Sequence, residues 1–168
     1  MSATELPEPV EVVTIPIRLE YQYTPGLMQS RFLRALKEGT VLGFRCSSCR
    51  QVYVPGPGVC PMCGEVFEDD PVEIANTGTV ATFAVVNVPS QNIDIELPYV
   101  AAEVLLDGAN TTSMFLLRDT KLEDVRMGMR VETRWRPQEE WDTTMGNIEC
   151  VVPIDEPDAP YETYKEYV

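Results

Sequence analysis

The sequence predicts a mainly β protein: an N-terminal strand and one helix, a small four-cysteine ribbon, then a five-stranded barrel. Three observations carry this. Two Cys-x-x-Cys pairs, Cys46/Cys49 and Cys60/Cys63, are separated by ten residues. Five short β-branched or alternating segments follow between Gly78 and Val152. Ahead of the cysteines, residues 25–40 carry the apolar spacing of an amphipathic helix.

In chain order, residues 1–9 are rich in Pro and Glu and show no periodicity. From Val13 the odd positions read Val13, Ile15, Ile17, Leu19, Tyr21 and Tyr23, alternating with Arg18, Glu20 and Gln22. This period of two predicts a strand with one apolar face, within an N-terminal extension of residues 1–24. Such a strand needs a sheet edge, in this molecule or on another chain, and points to assembly.

Thr24-Pro25 offers a hydroxyl N-cap and a first-turn proline, and Gly39 offers a stop. Between them Met28, Phe32, Leu33 and Leu36 share one helix face and Arg31, Arg34 and Lys37 another. The basic face is either solvated or turned to an anionic ligand or acidic partner.

Residues 41–68 form the ribbon. Two Cys-x-x-Cys turns facing one another place four thiolates around one tetrahedral ion, and four sulfurs leave no open position for water. That describes structural zinc on Cys46, Cys49, Cys60 and Cys63. Rubredoxin-type iron needs the same four sulfurs. Gly64 behind the second pair suits it, whereas Arg50 stands where the first pair would have the matching glycine. So short a segment has almost no core, and metal binding supplies folding free energy on the order of 10 kcal/mol in comparable peptides. Disulfides are disfavoured because nothing marks the chain as secreted: Glu5, Glu8 and Glu11 occupy the N-terminus, without a basic stretch or an apolar signal core. No apolar run is long enough for a membrane span, and a cytoplasmic location is expected.

Residues 67–73 read as an acidic connector. The strands Gly78 to Val88, Tyr99 to Leu106, Thr111 to Leu117, Met129 to Arg136 and Ile148 to Val152 follow, with one helical turn over Leu122 to Met127 leading to Gly128. Five strands with a short helical element between the third and fourth fit a closed barrel of the OB type over residues 72–153. An open five-stranded sandwich fits the same pattern. Cys150 falls in an apolar alternating segment and reads as a buried inert thiol. The acidic tail, residues 154–168, carries Tyr161, Tyr164 and Tyr167, with Pro157 and Pro160 opposing helix. It is expected to be disordered until bound, or simply mobile.

Charge and composition narrow the function. The net charge is −14, yet residues 26–64 hold five bases against one acid, and residues 65–110 hold nine acids and no base. A weakly basic knob is therefore joined to an acidic body. The chain has no histidine, which removes the usual general base and every Ser/Cys-His dyad. An independent enzyme would have to use Cys150, Asp, Glu or Tyr, and no nucleophile-base pair is visible. A single-stranded nucleic-acid module would need a basic groove with aromatic platforms. Residues 65–152 instead hold six bases against seventeen acids, and only the Arg130, Arg134, Arg136 face resembles a footprint.

A helix ending near Gly39, then Leu42-Gly43-Phe44-Arg45-Cys46-x-x-Cys49, then Cys60-Pro61-x-Cys63-Gly64, then barrel strands including Pro98-Tyr99-Val100-Ala101, resembles the DUF35 family over residues 25–153. That family joins a rubredoxin-like zinc ribbon to an acyl-CoA-associated OB fold. Its members work beside thiolase-like proteins, lipid-transfer-type thiolases and acyltransferases, and some are accessory subunits of aldolases that shorten steroid side chains as CoA thioesters. The resemblance implies a non-catalytic scaffolding subunit of a hetero-oligomer whose thiolase-like partner carries the catalytic residues. A carrier of CoA thioesters is the neighbouring alternative. On this reading Arg31, Arg34, Arg45 and Arg50 are candidates for CoA phosphates or an acidic partner surface. The loops Pro89 to Leu97 and Pro137 to Met145 would shape the partner's acyl pocket. Trp141, in the second loop, is either an exposed interface anchor or a ring folded back on the barrel.

Overall fold

A computed structural model describes residues 12–15, 17–90 and 94–168. One helix, α1 (Leu27–Lys37), leads into β1 (Val41–Arg45) and β2 (Val52–Tyr53), and the chain later returns as β3 (Pro71–Ile74). These three strands form an antiparallel sheet in the order β2-β1-β3. The remaining strands, β4 (Thr77–Val86), β5 (Tyr99–Leu106), β6 (Thr112–Leu117), β7 (Arg130–Trp135) and β8 (Ile148–Pro153), close a barrel in the order β4-β5-β6-β8-β7. The parallel pairing of β6 with β8, through Leu117 and Val151, and the return of β7 onto β4 are what close it. A 3-10 turn at Leu122–Asp124 sits between the third and fourth barrel strands, where the sequence places a helical turn.

Closure rests on a bulge in β4. Its register with β5 shifts between Val80 and Thr82, with Ala81 fully buried at the step. The bulge bends the strand, so that Thr77 to Thr79 pair with β7 while the rest pairs with β5 alone. Val80, Ala102, Val104, Val131 and Val151 fill the interior with no exposure. Burying each valine or leucine contributes about 1.5–3 kcal/mol relative to leaving it in water.

Four elements depart from the sequence reading. Residues 12–15 and 17–23 belong to no strand, and their apolar side chains stand in solvent: Ile17 is 84% exposed and Val13 69%. The alternation encodes a potential strand, but a strand forms only when an edge satisfies its backbone, and none among the described residues pairs with it. The helix begins at Leu27, with Gly26 as N-cap and no side-chain cap, and Thr24 and Pro25 stay outside it. Met28, Phe32 and Leu36 are its buried face. The segment read as an acidic connector, residues 67–73, runs into β3, whose Ile74, Glu73, Val72 and Pro71 pair with Val41 to Phe44.

The fourth departure is the tail, which is ordered against the barrel. The Ile154 N–H donates to the Arg130 carbonyl at 3.1 Å and the Ala159 N–H to Gly128 at 2.8 Å. Tyr164 is buried, edge-on to Tyr161. Two of the tail acids have fixed partners on the barrel: Asp158 takes both arms of Arg126 at 2.6 and 2.7 Å, and Glu156 accepts from Arg130 at 3.0 Å.

Candidate metal centre

The ribbon consists of two similar turns. In the first, the Arg50 N–H donates to the Cys46 carbonyl at 3.0 Å and the Cys46 N–H to Gln51 at 2.9 Å. In the second, Gly64 donates to Cys60 at 2.9 Å and Cys60 to Glu65 at 2.8 Å. Each turn needs a left-handed residue directly behind its second cysteine. Gly64 supplies it at φ +74°, and Arg50 adopts it at φ +64°. The missing glycine therefore does not alter the first turn, and it does not separate zinc from iron.

The turns bring the four Sγ atoms of Cys46, Cys49, Cys60 and Cys63 within 4.8 Å of one another. Cys46 and Cys63 are 3.6 Å apart, as are Cys49 and Cys60. Four sulfurs at about 2.3 Å from a tetrahedral ion lie about 3.8 Å apart, close to the 3.6 Å of these two pairs. Cys46 and Cys60 are buried, Cys49 is partly covered and Cys63 is exposed.

The thiols are inequivalent. The Gln51 N–H favours the thiolate at Cys49, but burial and the three neighbouring thiols outweigh it and push Cys49 up to about 12. Burial opposes charge on Cys60, yet the Tyr53 hydroxyl and the backbone N–H groups of Cys63 and Met62 prevail and lower it to about 6. Tyr53 is itself buried and edge-on to Phe67, with its hydroxyl 3.5 Å from Cys60 Sγ. A dication bound by the four sulfurs would displace the thiol protons.

The basic residues of the ribbon segment are not brought together. Arg31 is paired with Asp69 and lies 5.8 Å over the Phe44 ring, and Arg45 faces Asp70 at 4.0 Å. Lys37 bonds Asp142 at 3.2 Å. Acids from the segment before β3 thus neutralise two of the four arginine candidates, a tertiary pairing that charge counting misses. Arg34, on α1, and Arg50, on the first cysteine turn, are exposed and form no ion pair among the described residues. On the barrel, Arg130, Arg134 and Arg136 are paired with Asp107 and Glu156, with Asp119, and with Glu140 respectively. The strand face that resembled a phosphate footprint is internally compensated.

Trp141 is folded back. Its indole N–H donates to the Arg136 carbonyl at 2.8 Å, its ring lies 5.3 Å from Trp135, and its six-membered ring lies close against Gly39. Beside it the buried Asn147 side chain donates to the carbonyls of Leu36 and Asp142 and accepts from the Asp142 N–H. This loop therefore fastens the end of α1 to the barrel. On the other side of the ribbon, Asn110 and Thr111 of the β5–β6 turn bond the backbone of Val52 and Val54 at 2.7 to 3.0 Å. Sequence reasoning singled out neither Asn147 nor Asn110, because their partners are distant in the chain. Residues 91–93 of the Pro89 to Leu97 loop lie outside the described residues, and Val88 beside them is exposed. Cys150 is buried in β8, as its pattern implies. Among the described residues no helix is long and apolar enough to cross a membrane.

Comparison with known proteins matches both halves. The rubredoxin-like zinc ribbon domain of ChsH2 matches residues 34–68, and the C-terminal OB-fold domain of ChsH2 matches residues 71–136. A DUF35 domain-containing scaffold protein of Methanocaldococcus jannaschii is 36% identical over 111 residues, 65% of this chain and 77% of that one. Its counterpart in Methanothermobacter thermautotrophicus is 28% identical over 95 residues, 56% of this chain and 70% of that one. A probable enoyl-CoA hydratase alpha subunit of Thermomonospora curvata is 31% identical over 134 residues, 78% of this chain but only 38% of that longer protein. Among solved structures, a chain of the Ltp2-ChsH2(DUF35) aldolase superposes with a TM-score of 0.57 and 26% identity, covering 79% of this chain and 98% of that one. A DUF35 protein of Sulfolobus solfataricus superposes with a TM-score of 0.58 at 17% identity, over 77% of this chain and 87% of that one, a likeness of fold. With a zinc ribbon carrying four clustered cysteines and a closed five-stranded OB barrel, the chain belongs to the DUF35 family.

Proposed function

We propose that the protein is a non-catalytic scaffolding subunit that docks on a thiolase-like partner acting on a CoA thioester. Acyl transfer, thiolysis or retro-aldol cleavage of an acyl side chain, a steroid's among them, is the chemistry assigned to that partner. The observation that carries the reading is the likeness to a chain of the Ltp2-ChsH2 aldolase, which extends over nearly the whole of that chain. The absence of histidine and of any nucleophile-base pair agrees with catalytic residues lying elsewhere.

Cys46, Cys49, Cys60 and Cys63 are assigned to one structural zinc ion, which holds the ribbon rigid as a docking knob. Val59, Met62 and Val66 are exposed near its tip and offer apolar contact. Arg34 and Arg50 are the bases left free for an acidic partner surface or CoA phosphates, whereas Arg31 and Arg45 act within the fold. The alternating apolar residues Val13, Ile15, Ile17, Leu19, Tyr21 and Tyr23, all exposed, are assigned to strand addition on the partner.

The test is purification of the tagged protein from its native host, with mass spectrometry and elemental analysis. A thiolase-like chain at near-stoichiometric yield with one zinc per copy is the expected result. A solitary protein that turns over an acyl-CoA overturns the reading.

A further inference from the structure

Tyr53 joins a strand fastened to the barrel to one sulfur of the cluster. It sits in β2 between Val52 and Val54, and both neighbours are clamped by side chains of the β5–β6 turn: the Val52 N–H donates to Asn110 Oδ1 at 2.9 Å and the Val54 N–H to Thr111 Oγ1 at 3.0 Å. The ring is held edge-on by Phe67, with centroids 5.6 Å apart at 83°. Both rings are buried, Tyr53 at 7% exposure and Phe67 at 6%. The hydroxyl so positioned is 3.5 Å from Cys60 Sγ, within the range of an O–H···S bond, and no other polar side chain bonds it among the described residues.

A buried phenol O–H left without a partner is destabilising, and the acceptor within reach of this one is the Cys60 sulfur. A metal-bound thiolate is such an acceptor. A neutral O–H donor lowers the electron density on that one sulfur without adding charge to a cluster that already carries four thiolates around a dication. Cys60 is also one of the two fully buried sulfurs, so water cannot supply this bond in its place.

Resting on the assignment of a metal to the four cysteines, we propose that Tyr53 is an outer-sphere hydrogen-bond donor to the Cys60 thiolate. It tunes the electron density of that sulfur and slows loss of the ion. It is a positioning residue for the metal, on a segment whose backbone at Val52 and Val54 is bonded to the barrel turn at Asn110 and Thr111.

The test uses the full chain loaded with cobalt(II) as a spectroscopic stand-in for zinc. Parent protein is expected to take up one cobalt with intense sulfur-to-metal charge-transfer absorption; failure at this point overturns the metal assignment itself and with it the role of Tyr53. In Tyr53→Phe, which keeps the ring and its contact with Phe67, the charge-transfer band should move to lower energy. Zinc should pass to a chromogenic chelator about 10-fold faster than from the parent, the lower end of the effect of removing an outer-shell partner. Should Tyr53→Phe not fold, 3,5-difluorotyrosine at position 53 gives the opposite arm: a stronger donor of nearly the same shape, expected to move the band to higher energy. A normal cobalt stoichiometry with a band and a chelation rate unmoved by either substitution overturns the proposal.

Discussion

A single methyl group at Gly39 tests how the helix is held to the barrel. The φ of Gly39 is +77°, in the left-handed region, where an L side chain costs about 1–2 kcal/mol. A Cβ there would stand 2.7 and 2.8 Å from two carbons of the Trp141 ring. Carbon contacts settle at about 3.5–4.0 Å, so the ring must retreat by about 1 Å. Retreat pulls its N–H from the Arg136 carbonyl and disturbs the contact with Trp135. Overpacking of this kind costs about 1–3 kcal/mol, which brings the expected loss for Gly39→Ala to about 2–5 kcal/mol. Trp141→Ala removes a half-covered aromatic and should cost about 2 kcal/mol. In the double variant the clash is gone and only the backbone term and the lost ring remain. Its loss should fall short of the sum of the singles by about 1–3 kcal/mol. Urea unfolding followed by circular dichroism reads all four proteins, and tryptophan emission reports the site directly, since the chain has two tryptophans and both lie there. Additivity within about 0.5 kcal/mol would refute the contact as the coupling between helix and barrel.

Cys46→Ser or Cys63→Ser should abolish stoichiometric zinc by elemental analysis while the far-ultraviolet spectrum of the barrel survives; a full complement of zinc in either variant contradicts the ligand set. Asn147→Ala removes three hydrogen bonds at a buried position, and because the Leu36 carbonyl keeps a bond from Gly39, the loss should be about 2 kcal/mol in urea unfolding rather than the full sum. The Arg130 and Arg126 guanidiniums hold Asp107 and Asp158 below the ordinary carboxylate value, against some desolvation. Folded values that are lowered give stability that is present above the unfolded value, about 3.9, and is lost as pH falls through the lower folded ones. Hydrogen exchange should therefore find the Ile154 and Ala159 amides protected at neutral pH and opening selectively below about pH 4, and equal protection throughout would discount those pairs. Arg34→Ala with Arg50→Ala should weaken partner or CoA binding in a salt-dependent way, whereas unchanged affinity in a titration returns both to a solvated surface.

Much of the fold was legible because its signals are local. Two Cys-x-x-Cys pairs fix their own turns, and the valines of β4 to β8 mark themselves by alternation and β-branching. Arg50 marks the limit of that reading, for the hydrogen bonds of its turn impose a left-handed backbone that its side chain would not choose. β3 was hidden because Glu68, Asp69 and Asp70 run directly into it and Glu73 lies within it, while the strand needs only Val72 and Ile74 to face inward. The tail and Trp141 were misjudged, or left open, for one reason: acidic and polar neighbours look mobile until their partners are known.

The sequence by itself determined the metal-ligand set available to the ribbon, the five strand segments and their succession along the chain, and the lack of histidine that turns the search for catalysis elsewhere, since each depends on residue identity or short-range spacing. Tertiary structure alone decided which arginines are spent on Asp69, Asp70, Asp107 and Asp119, how Trp141 and Asn147 lock the helix to the barrel, and that Tyr53 reaches Cys60. Ion pairs and buried hydrogen bonds join residues up to 111 positions apart, and no periodicity along the chain records which distant groups folding will bring within 3 Å.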